Sequence, residues 1–576
     1  MRNPRPWATL GSMPLPGRND PVLLLGPLLR HVDPVSATVW VETDRPCEVE
    51  VLGRRARTFT VSGHHYALVL VEGLEPGSAT PYEVHLSSDG GDGERVWPLA
   101  ASPFPPSRIR TPGRPGPFRI AFGSCRYATP STVDATEGIP PDALDCYAAQ
   151  LAGRPEDEWP DALVLLGDQV YADELTPETR RWLSLRRGRP APEDAQVDDF
   201  EEFTRLYAES WSDPQVRWLL STIPSSMIFD DHEMIDDWNT SAAWRREVTG
   251  QDWWTRRICG GLVSYWVYQH LGNLSPQELA GNETWRAVRD HPGDAEPVLQ
   301  AMAEAADRNP RSVRWSYVRH WGEARMIMVD SRAGRVLDES ARAMLDEDEF
   351  AWVEAAMRRA VDEDVEHLVL GTSLPWLLPH AIHQVERWNE TLVRRHLGGP
   401  LGWASEKLRQ AADLEHWAAF GDSFERLGRA LLAVARGEHG RAPATALLLS
   451  GDVHHAYAAE LVRPDGLATR VHQLTVSPLH NQAPHPIKVG FRIGWSRWAR
   501  RLTTGLARLA RVRPSELDWA KQAGPYFGNQ LGELVLHDRE AAFRLFVTDR
   551  DDAGQARLHL VAELPLSDPV AAEVTG

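Results

Sequence analysis

The sequence predicts an α/β protein: a layered core of strands and helices preceded by a small N-terminal β-sandwich. Three observations point there. Short alternating segments lie between residues 36 and 86, a proline- and glycine-rich stretch follows, and apolar runs then recur, each ending in a polar and often glycine-bearing turn.

The first region reads as strands at Thr38–Glu42, Glu48–Val51, Thr58–Val61, Ala67–Val71 and Pro81–Val84, separated by Gly and Pro turns. It is expected to form an immunoglobulin- or fibronectin-like sandwich over residues 20–110. Residues 111–117, Thr-Pro-Gly-Arg-Pro-Gly-Pro, are too stiff for a regular element and read as a linker. The remaining domain, 118–566, carries nearly continuous apolar runs at Phe118–Phe122, Ala162–Leu166, Ser226–Phe229, Met326–Val329, His367–Leu370 and Ala446–Leu449. Such runs suit strands covered on both faces. Tryptophan-rich helical insertions are expected at roughly 172–222 and 240–320.

Composition narrows the class. With 42% apolar and 25% charged residues, the 576-residue chain is neither disordered nor a membrane bundle, and no run of about 18 apolar residues offers a spanning helix. No signal peptide is read at the start, and the four cysteines lie far apart, which suits reduced thiols and a cytoplasmic protein. A net charge of −19 gives no general affinity for nucleic acid. It would also repel a phosphate ester, so such a substrate requires local cations.

Each core strand ends in chemically loaded residues: Gly123-Ser-Cys-Arg126, Gly167-Asp-Gln-Val-Tyr-Ala-Asp173, Asp230-Asp-His-Glu233, Asp330-Ser-Arg332, Gly371-Thr-Ser-Leu-Pro375 and Gly451-Asp-Val-His-His455. Sites in open α/β sheets form beyond the carboxyl ends of strands, so these ends point to one cleft. Phosphoester hydrolysis is served by two cations about 3.5–4 Å apart, which activate water and neutralise phosphoryl oxygens. Asp168 suits the bridging carboxylate, though an aspartate there also suits a helix N-cap. If the loop opens a helix, Tyr171 falls beside Asp168 as a ligand; otherwise it is a packed ring. Cys125 is either a ligand or a small buried hydrophobe, and a thiolate with a phenolate would favour ferric iron. In Asp-Asp-His-Glu, Asp231 suits a ligand and His232 a general acid, against a solvated acidic turn. Alternation along an extended Gly451–His455 puts Asp452 and His454 on one side as ligands, with His455 opposite in a supporting or packing place. Arg126 and Arg332 could clamp phosphoryl oxygens or form ordinary ion pairs.

Together, Gly123-Ser-Cys125, Gly167–Asp173, Asp230–Glu233, Asp330–Arg332 and Gly451–His454 resemble the alkaline phosphatase D (PhoD-like) branch of the calcineurin-like metallophosphoesterases, in its order. The resemblance implies a four-layer αββα sandwich after an N-terminal β-sandwich. It also implies phosphomonoesterase or phosphodiesterase activity by hydroxide at a two-metal site. The implied metals are Fe3+ with Ca2+, with Mn2+ or Zn2+ as alternatives, and the ligands are Cys125, Asp168, Tyr171, Asp231, Asp452 and His454. Asp168 and His232 are then catalytic, and Arg126, Arg332 and His455 are the expected substrate contacts. Asp236-Asp237 and His455 depart from the family pattern, as does the missing leader. The competing readings are a binding protein that keeps the fold without the metals, or a metal hydrolase acting on another bond. No oligomeric state is predicted.

One segment breaks the acidic balance. Residues 491–513 hold seven arginines and no acids, with Trp498, Leu502, Leu506 and Leu509 at helical spacing. The favoured reading is a helix lying on the acidic core with its arginines paired; peripheral membrane contact is the less favoured one.

Overall fold

In the computed structural model of the protein, the described residues are 20–88, 93–128, 139–363, 365–462, 467–482 and 485–568. The chain divides into two compact units. The first comprises the chain up to Arg114 together with Trp211–Ser225 and Leu271–Ala301. It contains two four-stranded antiparallel sheets. One runs in the order Leu23–Val32, Ser36–Thr43, His64–Glu72, Phe59–Val61, and the other Arg54–Arg57, Glu48–Val51, Val84–Ser87, Glu94–Trp97. Val39, Val41, Val49, Val51, Val69 and Val84 share one core cluster, which is why the period-two pattern was readable. Two details differ from expectation. A long strand not among those expected, Leu23–Val32, precedes them and tolerates Pro27 through shifts in register. Pro81–Val84 is not one strand, because it is divided at Tyr82, whose buried hydroxyl donates to the Ser221 carbonyl at 2.6 Å.

The second unit holds two mixed sheets. The six-stranded sheet runs Ser225–Ile228, Ala162–Leu166, Phe118–Gly123, Gln530–His537, Glu540–Arg550, Ala556–Pro565. The seven-stranded sheet runs Tyr317–Trp321, Ala324–Val329, His367–Thr372, Thr445–Ser450, Arg470–Thr475, Ala456–Leu461, Trp519–Tyr526. Parallel pairs join Phe118–Gly123 to Ala162–Leu166 and run from Ala324–Val329 through His367–Thr372 and Thr445–Ser450 to Arg470–Thr475. Their inner faces meet: a side chain at Gly532 would strike both Phe122 and Val476, and one at Gly371 would lie against Met328 and Leu166. Outside, Glu347–Asp362 and Gly421–Ala435 bury Phe350, Val353, Leu427 and Leu431 with Leu368 and Leu448 of the seven-stranded sheet. Ala143–Leu151 covers the other sheet, where Gln150 Nε2 donates to the Leu558 carbonyl at 3.0 Å. This is the layered α/β sandwich.

No helix among the described residues is long and apolar enough to cross a membrane. The basic segment meets the favoured expectation in part: it lies beside His380–Arg395, and Arg500 pairs with Asp518 at 2.9 Å. It forms His485–Gly494 and Arg497–Leu509, and on the second helix Ala499 and Ala507 are buried while Trp498, Leu502, Leu506 and Leu509 face solvent. Small residues allow close approach to the neighbouring helix His380–Arg395, and the bulky apolar face is left outside.

Candidate metal centre

The loops after strands Phe118–Gly123 and Ala162–Leu166 are tied together by their backbones, as are those after His367–Thr372 and Thr445–Ser450. The N–H groups of Cys125 and Arg126 donate to the carbonyls of Gly167 and Asp168 at 3.1 and 2.8 Å, and that of Gly451 to Ser373 at 2.8 Å. Glycine is needed where the loops touch. At Gly167, with φ +104°, a Cβ would lie 2.5 Å from Asp230 Cβ, and at Gly451 one would lie 2.0 Å from Ser124 Oγ. Four residues of the predicted site, Cys125, Asp168, Asp452 and His454, adopt left-handed φ of 55°, 52°, 68° and 47°. Each costs on the order of 1–2 kcal/mol, and such strain concentrates at functional sites.

These conformations correct two local arguments. Gly167–Asp173 opens no helix, since the next helix begins at Pro177 with Thr176 as its cap, so Asp168 is not an N-cap. Gly451–His455 is not extended, and the strand begins only at Ala456.

The centre is acidic and buried. Asp168, Asp230 and Asp231 are 1%, 0% and 4% exposed, and one carboxylate oxygen from each lies within 4.8 Å of the others. Burial first, and then Asp230, drives the Asp168 carboxyl well above its usual pKa; burial does the same to Asp230 against the pull of Arg332. Asp168 Oδ1 and Asp230 Oδ2 have no hydrogen-bond partner among the described residues. The Cys125 thiol donates to Asp168 Oδ2 at 3.3 Å and lies 3.7 Å from the Asp452 carbonyl. Burial, and then neighbouring Asp168, holds the thiol well above its ordinary pKa. The Tyr171 phenol is likewise pushed up by burial and then Cys125, and its oxygen accepts from Asn481 Nδ2 at 3.0 Å. Orphaned buried carboxylate oxygens beside a thiol and a phenol fit a bound cation, which would relieve their mutual repulsion.

His232 sits at the rim. Its Nδ1 is 2.8 Å from Asp173 Oδ1, and its ring lies 4.6 Å from that of Tyr171. Burial alone would lower its pKa, but Asp173 raises it well above the usual value, favouring the imidazolium. Asp231 accepts the N–H of His232 and of Asp237, both at 3.0 Å. Asp173 also accepts the Asp236 N–H at 2.6 Å. Asp236 and Asp237 thus serve this loop through their backbone N–H groups.

Arg332 is fully buried among acids: it bonds Asp230, contacts Glu415 at 2.5 Å and Asp231 at 3.2 Å, and lies 3.7 Å from Asp452. Its charge goes to the ligand carboxylates. Asp330 makes the turn that places it, accepting the N–H groups of Arg332 and Ala333 at 2.8 and 2.9 Å. Arg126 is also engaged, with Asp142 at 2.8 Å and the Ser210 carbonyl at 2.5 Å. His455 is 0% exposed, with Nδ1 2.7 Å from the Val453 carbonyl and its ring 4.0 Å from Phe491. The structure therefore packs His455 and pairs both arginines within the protein. Asp452 lies beside Cys125 and Arg332, and burial lowers the pKa of half-buried His454 to about 4, leaving a neutral imidazole.

Several residues were not singled out from sequence. Glu233 accepts the N–H groups of Asp168, Gln169 and Asp230 at 2.9, 2.8 and 2.8 Å and the amide of Gln269 at 3.0 Å, stitching two loops together. Its place in Asp-Asp-His-Glu, like that of Asp173 in its own motif, was the available signal. His416 bridges Asp452 Oδ2 at 3.1 Å and Glu386 Oε1 at 2.7 Å. Neither His416 nor Glu386 lies in a motif.

Residues 146–503, more than half of the chain, match the PhoD-like phosphatase family. The chain belongs to that family. Residues 20–109 match a domain of unknown function, DUF7800. A solved structure described as "Structure of PhoD" is similar, with a TM-score of 0.56 and 12% identity over 96% of this chain and 92% of that one, a likeness of fold. The crystal structure of amylomaltase from Corynebacterium glutamicum aligns with a TM-score of only 0.11, at 12% identity over 83% of this chain and 61% of that one, and carries no argument. No curated protein matches the sequence. As a PhoD-like phosphatase, the protein is a phosphoesterase-type hydrolase.

Proposed function

We propose that this PhoD-like phosphatase hydrolyses phosphomono- or phosphodiesters at a two-cation centre held by Cys125, Asp168, Tyr171, Asp231, Asp452 and His454, with Asp168 as the bridge. The observation that carries this reading is the buried Asp168, Asp230 and Asp231 group, with orphaned oxygens and the Cys125 thiol bonded to it. The thiol and phenol together favour ferric iron at one position, and the remaining oxygen donors suit calcium at the other. When bound, such cations lower the pKa of an attacking water and neutralise phosphoryl oxygens.

The chain's own groups do the rest. His232, held by Asp173 and kept protonated, gives its proton to the departing alkoxide. Arg332 spaces Asp230, Asp231 and Asp452 and offsets part of their charge. Glu386 and His416 hold the carboxylate of Asp452 in place.

The test is metal analysis of the purified protein combined with assays on p-nitrophenyl phosphate and bis(p-nitrophenyl) phosphate. Bound metal and hydrolysis of either ester are expected, and unchanged activity in Asp168→Ala would remove the bridging role. A visible charge-transfer band lost in Tyr171→Phe and Cys125→Ser is expected for iron. A colourless, active zinc or manganese protein would overturn that choice of metal.

A further inference from the structure

The helix Arg497–Leu509 is arranged against the usual rule. Its small face, Ala499 and Ala507, is 4% exposed at each position, while Trp498, Leu502 and Leu509 are 61%, 58% and 82% exposed. At 100° per residue these three side chains fall within an arc of about 40°, and Arg497, Arg501 and Arg508 fall within about 40° of one another on the adjoining face. Those arginines are exposed and form no ion pair among the described residues, whereas Arg500 pairs with Asp518 at 2.9 Å. The preceding helix continues the apolar surface with Val489 and Ile493, each 40% exposed. Beyond the C-terminal end of Arg497–Leu509, Arg511 and Arg513 join Arg387, Arg394 and Arg395 around a recess of about 320 Å³ that Glu390 and Asp422 also line.

We propose that this face docks the protein on an anionic lipid surface. Trp498, Leu502 and Leu509 would enter the boundary between headgroups and acyl chains, and the arginines would lie against lipid phosphates. Charge complementarity selects this occupant. A segment with seven arginines and no acids, on a chain of net charge −19, is attracted to an anionic plane in one orientation only, since the rest of the molecule is repelled. A second copy of the chain would set like-charged arginine rows against each other. The proposal does not depend on the metal centre or on the reaction.

The experiment is flotation of the full-length protein with vesicles of phosphatidylcholine alone or with about 30% phosphatidylglycerol, a charge density that attracts basic amphipathic helices. Recovery with the anionic vesicles should be at least about tenfold higher, and should fall sharply at about 0.5 M salt, where surface charge is screened. The variant Trp498→Ser/Leu502→Ser/Leu509→Ser should abolish flotation, and Arg497→Gln/Arg501→Gln/Arg508→Gln should reduce it to the level of neutral vesicles. Circular dichroism melts check that both variants fold; if the apolar variant does not, the arginine variant and the salt titration carry the test. Equal recovery with neutral vesicles, no flotation, or a solution dimer that the apolar variant dissociates would overturn the proposal.

Discussion

At the strand ends, Asp168, Asp230, Asp231 and Glu415 are withdrawn from water, whereas on Arg497–Leu509 the side chains of Trp498, Leu502 and Leu509 are left in it. Both regions oppose the free-energy preference that built the rest of the fold, and they do so with opposite sign. The carboxylates of Asp230 and Asp231 share the single charge of Arg332, which also serves Glu415, and the apolar side chains on Arg497–Leu509 stand in solvent. The sign of each departure indicates what would relieve it: a cation in the first region, an amphiphilic surface in the second.

That contrast can be broken at several places. The largest effect is expected from Asp168→Ala, which should lower kcat/KM at least about 10³-fold, the scale of a lost charge-stabilising group. In chelator-treated protein the same change should leave Tm unchanged or raise it, because it removes one of several crowded buried carboxyls. Differential scanning fluorimetry with and without chelator reads both signs, and a large fall in the chelated state would mean that Asp168 is needed for folding rather than for metal.

Glu233→Gln should destabilise by about 2–4 kcal/mol in urea titrations, because an amide donor would then face backbone N–H groups that now share a carboxylate. A smaller effect concerns pH. Buried His367 has its pKa lowered by burial to about 4. Its neutral form is therefore favoured in the folded state, so the stability it contributes is complete above its unfolded pKa of about 6.5 and is lost as pH falls toward 4, by up to about 3 kcal/mol. His367→Gln should flatten that part of the acid denaturation curve. For His232→Gln, a fall of about 10²-fold is expected with alkyl phosphates and much less with p-nitrophenyl esters, whose leaving group needs no proton. At the other end of the comparison, Leu502→Ser should change stability by less than about 0.5 kcal/mol, since an exposed side chain has little packing to lose.

The core strands were legible because Ala162–Leu166 and Thr445–Ser450 are buried along their whole length, which leaves a continuous apolar run in the sequence. The candidate site was legible as an ordered set of strand-end motifs. The local geometry was not: Asp168, Asp452 and His454 hold left-handed φ that no pattern of residue types announces, because contacts between loops distant in sequence impose it. His416 and Glu386 were illegible for the same reason, since His416 reaches Asp452 across 36 positions of chain, Glu386 reaches His416 across 30, and neither sits in a motif.

Periodicity, the order of the loaded strand ends and the isolated basic segment are local properties, and the sequence alone determined them along with the class of chemistry. Which carboxylates share one buried space, which arginines are neutralised by them, and which face of Arg497–Leu509 meets the protein are outcomes of long-range packing. On Arg497–Leu509, which lies beside His380–Arg395, Ala499 and Ala507 are buried and the leucines are not.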